Sequence, residues 1–276
     1  MAAYARPTRI DQALKLLALG ARTVVAGGTD FYPARVGKSS HEPVLDLSAI
    51  RGLRGIESPG DSWRIGATTT WSDLLEAKLP PLFDGLKLAA REIGGRQIQN
   101  SGTLAGNLCN ASPAADGVPP LLALDASVEL ASVEGTRLLP LSKFIVGPRQ
   151  TALTARELLR AVHVPRPPHE ALSGFLKLGA RRYQVISIAM VAAVIEHKNG
   201  LVRAARVAVG ACSPVACRLQ KLERELIGKR VGAELARCVR PEHLARLVPI
   251  DDVRGSGAYR LQAASVLLRR MLGQLA

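Results

Sequence analysis

The run Val24-Val25-Ala26-Gly27-Gly28-Thr29-Asp30 ends a short β-branched segment on two glycines and two hydrogen-bonding side chains. A strand that stops on such a turn aims successive backbone N–H groups at one point, and consecutive amides of this kind form an anion-binding concavity. A second stretch, residues 94–130, reads GGRQIQNSGTLAGNLCNASPAADGVPPLLALDASVEL, and its first half is nearly free of large apolar residues. That composition leaves amides open to a ligand. Gly102 and Gly106 allow backbone angles closed to other residues and close approach of a ligand to the main chain. Ser112-Pro113 has the residue types of a helix start, and a helix N-terminus beside open amides is an anion site. The same composition also suits an ordinary surface loop. Neither the G-x-G-x-x-G of a Rossmann turn nor the G-K-[ST] of a P-loop is present, so the usual nucleotide folds are not indicated. Two cradles in one chain suit a ligand with a diphosphate and a long polyhydroxylated body.

The elements that must position these stretches follow from periodicity and punctuation. Thr8 is expected to cap a helix with Ala13, Leu14, Leu17 and Ala18 at helical spacing, closed by Gly20. Strands over 23–26 and 43–47 complete a small β-α-β unit. The turn Ser58-Pro59-Gly60-Asp61 is the expected boundary between two subdomains. Beyond it come a strand over 63–67, a helix start at Thr70, a helix over 82–93, a helix from Ser112 to near Ala123, a strand over 127–131, a helix start over 141–145 and a strand over 157–164. Arg166-Pro167-Pro168-His169 reads as a linker. The remainder opens at Gly174, and runs over 188–196 and 201–209 flank Asn199-Gly200, a strong hairpin signal. Ser213-Pro214 is expected to cap a helix to about Ile227, and Ser256 a final amphipathic helix to near Leu272. Strands followed by helices predict an antiparallel sheet with helices on one face.

At 276 residues, nearly half of them hydrophobic, the chain suits two domains. No apolar run reaches bilayer length, and charged residues interrupt any signal-peptide core near the N-terminus. Four cysteines stand far apart without C-x-x-C, which fits a reducing cytoplasm and no iron–sulfur or disulfide framework. The five histidines include no H-x-x-x-H pattern, so no metal site is expected; nor does any Ser/His/Asp order or acid–base pair have a motif context, and no catalytic residue is singled out. The net charge of +14 is uneven: residues 1–165 hold 18 Lys and Arg against 15 Asp and Glu, residues 166–276 hold 19 against 8. A basic face for an acidic partner subunit explains this as well as nucleic-acid binding or a solvated surface does, and the scarcity of aromatics speaks against a base-stacking platform.

AGGTD (Ala26 to Asp30) and GTLAGNLCNASPAAD (Gly102 to Asp116) resemble the FAD-binding medium subunit of molybdenum hydroxylases, the xanthine dehydrogenase and carbon monoxide dehydrogenase flavoprotein family. RVAVGACSPVACR and DDVRGSGAYRLQAASVLLRRML resemble that family's C-terminal domain, so the resemblance covers essentially the whole chain. One departure is Ala105, where the family usually has glycine. The resemblance implies an α+β fold: a two-subdomain, PCMH-type FAD-binding domain over 1–166, split near 58 and similar to vanillyl-alcohol oxidase-like flavoproteins, then a C-terminal domain of antiparallel sheet plus helices over 170–276. It implies that Gly27, Gly28, Thr29 and Asp30 wrap the diphosphate through their backbone amides, that Ala26 and Phe31 also bind the cofactor, that Ile93 and the Thr103 hydroxyl contact FAD, and that Gly106 and Asn107 complete the anion loop. Asp116 matches an acidic position suited to sugar hydroxyls or a flavin N–H, with helix-dipole compensation as the other reading. Leu158 and Lys177 match the remaining contacts, the lysine as a cation near the pyrimidine edge of the flavin. The function implied is electron transfer within a heteromeric oxidoreductase: a large molybdopterin subunit, a small subunit with two-iron two-sulfur clusters, this chain with FAD, and an external acceptor such as NAD, a quinone or oxygen. A dimer of heterotrimers is the assembly the family suggests. The alternatives are a stand-alone FAD-dependent oxidoreductase and a basic nucleic-acid-binding protein.

Overall fold

The computed structural model of the chain describes residues 4–37 and 42–275. They form two units: the first comprises the chain up to Ala77, Arg96–Ala111 and Ala126–Val164, the second Lys78–Gly95, Ser112–Asp125 and the chain from Pro165. In chain order the elements are β1 (Tyr4–Ala5), α1 (Ile10–Leu19), β2 (Thr23–Val25), β3 (Val44–Asp46), β4 (Ile56–Glu57), β5 (Ser62–Gly66), α2 (Trp71–Glu76), α3 (Asp84–Glu92), α4 (Arg96–Ser101), α5 (Leu104–Asn110) and α6 (Val118–Ala123). They continue with β6 (Ser127–Ser132), β7 (Gly135–Pro140), α7 (Leu141–Phe144), β8 (Ile145–Gly147), β9 (Gln150–Thr151), β10 (Leu158–Pro165), β11 (Glu170–Leu178), β12 (Ala189–Lys198), β13 (Leu201–Gly210), β14 (Cys217–Arg218), α8 (Gln220–Leu226), α9 (Ala233–Arg237) and α10 (Gly257–Gln274).

In the first unit β2 and β1 both pair in parallel with β3, giving the order β1-β3-β2. The helix α1 connects β1 to β2 and buries Ala13 and Leu17 against Leu45, Leu47, Ile50, Leu53 and Leu158. Its N-cap is Arg9, one residue beyond the expected Thr8, because Gln12 Oε1 accepts from both amides, Thr8 at 3.2 Å and Arg9 at 3.3 Å. A five-stranded sheet, β4-β5-β10-β6-β7, makes the rest of the unit's frame. The Ser58–Asp61 turn joins β4 to β5 as an antiparallel hairpin within that sheet. Thr70 caps α2 through a capping box with Asp73, as its position predicts.

In the second unit β11-β12-β13-β14 is antiparallel throughout. Asn199 and Gly200 take φ of 55° and 72°, the paired positive values of a two-residue hairpin turn that matches strand twist. The expectation of helices on one face is corrected. Val191, Ala193 and Ile195 of β12 pack with Leu222 and Leu226 of α8, Leu235 of α9 and Leu268 of α10. The other face carries α6 and α3: Pro119 stands where a Cβ on Gly210 would be 2.8 Å from it, and Arg206 Nε donates to Ala123 O at 2.8 Å. A Cβ on Gly85 of α3 would be 2.8 Å from Gly174 O, so that helix lies directly on the β11 backbone. The helix expected from Ser213 is also corrected: Ser213 Oγ donates to Cys212 O and accepts from Val248 N, β14 intervenes, and α8 begins at Gln220. Among the described residues no helix is long and apolar enough to cross a membrane.

Candidate functional site

The β2 strand stops at Val25, opposite Asp46, and the chain turns sharply through Gly27 and Gly28. Gly27 is required by its neighbours: a Cβ there would lie 1.8 Å from Ser101 O and 3.1 Å from Gly102 Cα. Gly28 is required by its backbone, at φ +68°. Tyr32 N and Ala34 N then close turns onto Gly28 O at 3.1 Å and Asp30 O at 3.3 Å. The carbonyls are thus engaged, whereas the amides of Gly27, Gly28, Thr29 and Asp30 donate to no described residue. Open amides at the start of a helical turn are the arrangement that binds a phosphate. Phe31 is held edge-on to Tyr32 at 5.1 Å, with the Arg35 guanidinium 3.9 Å over its ring.

The second motif is built differently from the open loop expected of it. It is two short helices, α4 and α5, joined at Gly102-Thr103. Gly102 N donates to Ile98 O at 2.6 Å, Leu104 N to Thr69 O at 3.0 Å, Gly106 N to Thr103 Oγ1 at 3.0 Å and Asn107 N to Thr103 O at 3.0 Å. Those four amides are spent on the fold, and Thr103 is the N-cap of α5. Gly102 and Gly106 are not in the left-handed region; their need is space, since a Cβ would lie 2.9 Å from Ile98 O and 2.8 Å from Thr103 Oγ1 respectively. What α5 offers is a side chain: Asn107 Oδ1 is buried with no hydrogen-bond partner. A buried amide oxygen left alone costs about 1–3 kcal/mol, so this atom marks a place for a donor. The Thr29 hydroxyl oxygen lies beside Gly102, 3.4 Å from where its Cβ would be.

A cavity of 310 Å³ in the first unit gathers three of the expected residues, Ala26, Gly106 and Leu158. Ala105, in place of the expected glycine, also lines it and is buried within α5 without displacing that helix. Cys109 and Glu157 complete one wall; the Glu157 carboxylate is taken by Arg137, at 2.6 and 2.9 Å, and by Thr154 N at 3.0 Å. These partners hold its carboxyl down at about 2. Arg22 lines the cavity too, a residue the sequence reading passed over. Its one sequence signal is alternation, which puts Arg22, Val24 and Ala26 on one side of β2.

In the second unit Asp116 and Lys177 form a buried ion pair at 2.7 Å, and Ser187 Oγ donates to the other Asp116 oxygen at 2.5 Å. Lys177 Nζ also donates to Val185 O at 3.3 Å. Burial pushes the Asp116 carboxyl up, while Lys177 and Ser187 pull it down. The helix expected to start at Ser112 begins at Val118, because Ala115 N and Val118 N close consecutive turns onto Ser112 O and Ala115 O first. Asp116 therefore precedes the helix and its first turn. Ser187 was not legible as its partner, 71 residues away. Ile93 is the half-buried C-cap of α3. Tyr183 is exposed, with the Arg182 guanidinium 5.2 Å from its ring centre.

The model of the FAD binding domain in molybdopterin dehydrogenase matches residues 1–167, and that of the CO dehydrogenase flavoprotein C-terminal domain matches 175–275. The xanthine dehydrogenase FAD-binding subunit of Escherichia coli O157:H7 is 30% identical over 278 residues, covering 99% of this chain and 95% of the relative. The nicotine 6-hydroxylase medium subunit of Paenarthrobacter nicotinovorans is 31% identical over 275 residues, covering 98% and 95%. Among solved structures, a carbon monoxide dehydrogenase from Hydrogenophaga pseudoflava superposes with a TM-score of 0.89 at 28% identity, over 99% of this chain and 96% of that one.

Proposed function

The chain belongs to the family of FAD-binding subunits of molybdopterin dehydrogenases, and from that premise we propose that it holds FAD as the electron-transfer subunit of a heteromeric molybdenum hydroxylase. One observation carries the reading: four consecutive amides, Gly27 to Asp30, have no partner among the described residues at the end of a parallel strand. The unpartnered Asn107 oxygen agrees with it, as a second polar group waiting for a ligand. The residues present therefore fit the cofactor.

Gly27, Gly28, Thr29 and Asp30 bind the diphosphate through their amides, with Ala26 and Phe31 flanking them. Asn107 Oδ1 accepts from a cofactor hydroxyl or N–H, and the Thr103 hydroxyl, whose oxygen already accepts from Gly106 N, donates its own proton. Gly106 and Leu158 shape the cavity wall. Ile93 is an apolar contact, and Lys177 and Asp116 are a charged pair whose positive member is fixed by its partner. The redox chemistry is supplied by FAD when bound, with electrons arriving from two-iron two-sulfur clusters of a small subunit, themselves reduced at molybdopterin in a large subunit, and leaving to an external acceptor. The protein's part is to orient the cofactor and exclude water from its diphosphate. In domain terms residues 1–166 are the FAD-binding domain, with subdomains meeting near residue 58, and residues 170–276 the C-terminal domain. The assembly is a dimer of heterotrimers and works in the cytoplasm, in keeping with four free thiols.

The test is the visible spectrum of the purified complex, followed by denaturation and chromatography of the released flavin. FAD at about one per chain is expected. A complex that stays colourless after incubation with FAD overturns the reading.

A further inference from the structure

We propose that a cavity of 250 Å³ in the second unit binds a phosphate group, held by Lys221, Arg224 and Arg246. The site is independent of the flavin reading. Lys221 and Arg224 lie three residues apart on α8 and so share a face of that helix. Arg246 comes from the segment after the single helical turn Pro241–His243. Leu222 and Leu226 of α8 are buried in one apolar core with Leu244 and Leu247 of that segment, which fixes the two pieces of chain side by side. Core packing, rather than any attraction among the cations, therefore brings the three to one cavity.

Arg240 leaves them without a counter-ion. Its guanidinium takes two neighbouring carboxylates, Glu242 and Glu225, each at 2.6 Å. Glu242 is the one acidic residue lining the cavity. The side chains of Lys221, Arg224 and Arg246 form no ion pair or hydrogen bond with any described residue. Like charges around one small space repel until an anion neutralises them. His243 adds a fourth donor: it lines the cavity and is buried, 3% exposed. Its Nδ1 accepts from Arg240 N at 3.0 Å, which places the proton of the neutral ring on Nε2. Nε2 lies 3.2 Å from Glu225 Oε2 but out of line for a hydrogen bond, so this buried donor is unspent. The cavity is smaller than the about 300–1,000 Å³ of sites for drug-sized ligands, so its ligand is a small anion. A carboxylate would answer one of the three charges. A phosphate dianion answers two and offers oxygens to both guanidinium forks. Free phosphate and the phosphate of a small monoester share this chemistry.

The experiment is equilibrium dialysis of labelled inorganic phosphate against the purified complex, loaded with FAD so that the Gly27–Asp30 turn is filled, in low-salt buffer. Saturable binding is expected that Arg224→Gln and Arg246→Gln each weaken roughly ten- to a hundredfold, the worth of a charge-assisted hydrogen bond. Arg203→Gln removes an exposed arginine outside the cavity and should leave binding unchanged. Phosphate sites on the diphosphate turn or on partner subunits would not respond to Arg224→Gln or Arg246→Gln. Glycerol 3-phosphate should displace the label; displacement at lower concentration than unlabelled phosphate assigns the site to a monoester, and at equal or higher concentration to free phosphate. Acetate that displaces the label as well as phosphate does overturns the ligand class. Equal losses in Arg203→Gln and Arg224→Gln reduce the effect to net charge and overturn the site, as does the absence of saturable binding that responds to these variants. Thermal melting checks that each variant is folded; if an arginine variant is not, Lys221→Gln decides by the same comparison.

Discussion

The side chains of Lys177 and Asp116 are buried together as an ion pair. Removing one member of such a pair leaves a bare charge in a low-dielectric site, at a cost of about 3–5 kcal/mol. Lys177→Met should therefore destabilise the second unit by that order, and combining it with Asp116→Leu should recover part of the loss; a urea double-mutant cycle without coupling would show that the pair is not mutually dependent. Glu157 gives a pH prediction. Its carboxyl falls from the ordinary 4.5 to about 2 beside Arg137, so the interaction stabilises above the unfolded value and is lost as pH falls through the folded one. Arg137 is 44% exposed, so screening limits the gain to about 1–2 kcal/mol. The stability gap between wild type and Glu157→Gln should be full at pH 7 and close between 4.5 and about 2. A gap that does not change with pH refutes this.

At the scale of elements, the turn after β2 and the junction of α4 with α5 form one structure, because Gly27 sits against the Ser101 carbonyl. Gly27→Ala must push that backbone away. We expect a loss of about 3 kcal/mol together with weaker flavin retention, read from urea midpoints and bound-flavin absorbance. An unchanged midpoint would mean the junction yields freely. The glycines of AGGTD have two causes, then: one makes room for neighbouring backbone and the other takes a positive φ. In the second motif Thr103 serves as a cap, and Gly102 and Gly106 serve close packing.

For the whole molecule, the excess positive charge of the C-terminal part is partly internal. Arg206, Arg218, Arg240, Arg254 and Arg260 all pair with carboxylates. The second unit also draws α3 and α6 from earlier in the chain. A fragment of residues 170–276 would lack both helices and expose the face of β12 that holds Met190, Ala192 and Val194, which the full chain buries. It should aggregate or bind hydrophobic dyes, whereas the full chain should not; a soluble, cooperatively melting fragment would contradict this.

The sequence by itself determined the local features. Apolar spacing set α1 and α10, alternation set β6, Asn199-Gly200 set the hairpin of β12 and β13, and Thr70 and Ser256 set helix starts, since each depends on residues within a turn or two of one another. It also singled out AGGTD, whose four amides after the strand are open in the fold. It missed β1 and β7, too short or too exposed to carry a pattern. Only the tertiary structure decided that the amides of Gly102, Leu104, Gly106 and Asn107 are engaged, that Ser187 and Lys177 converge on Asp116, that α3 and α6 cover a face of the second sheet, and that Arg22 reaches the cavity with a donor unspent. Each of these joins residues distant in the chain, and a hydrogen-bond donor is known to be spent or free only once every partner that folding brings to it is in place.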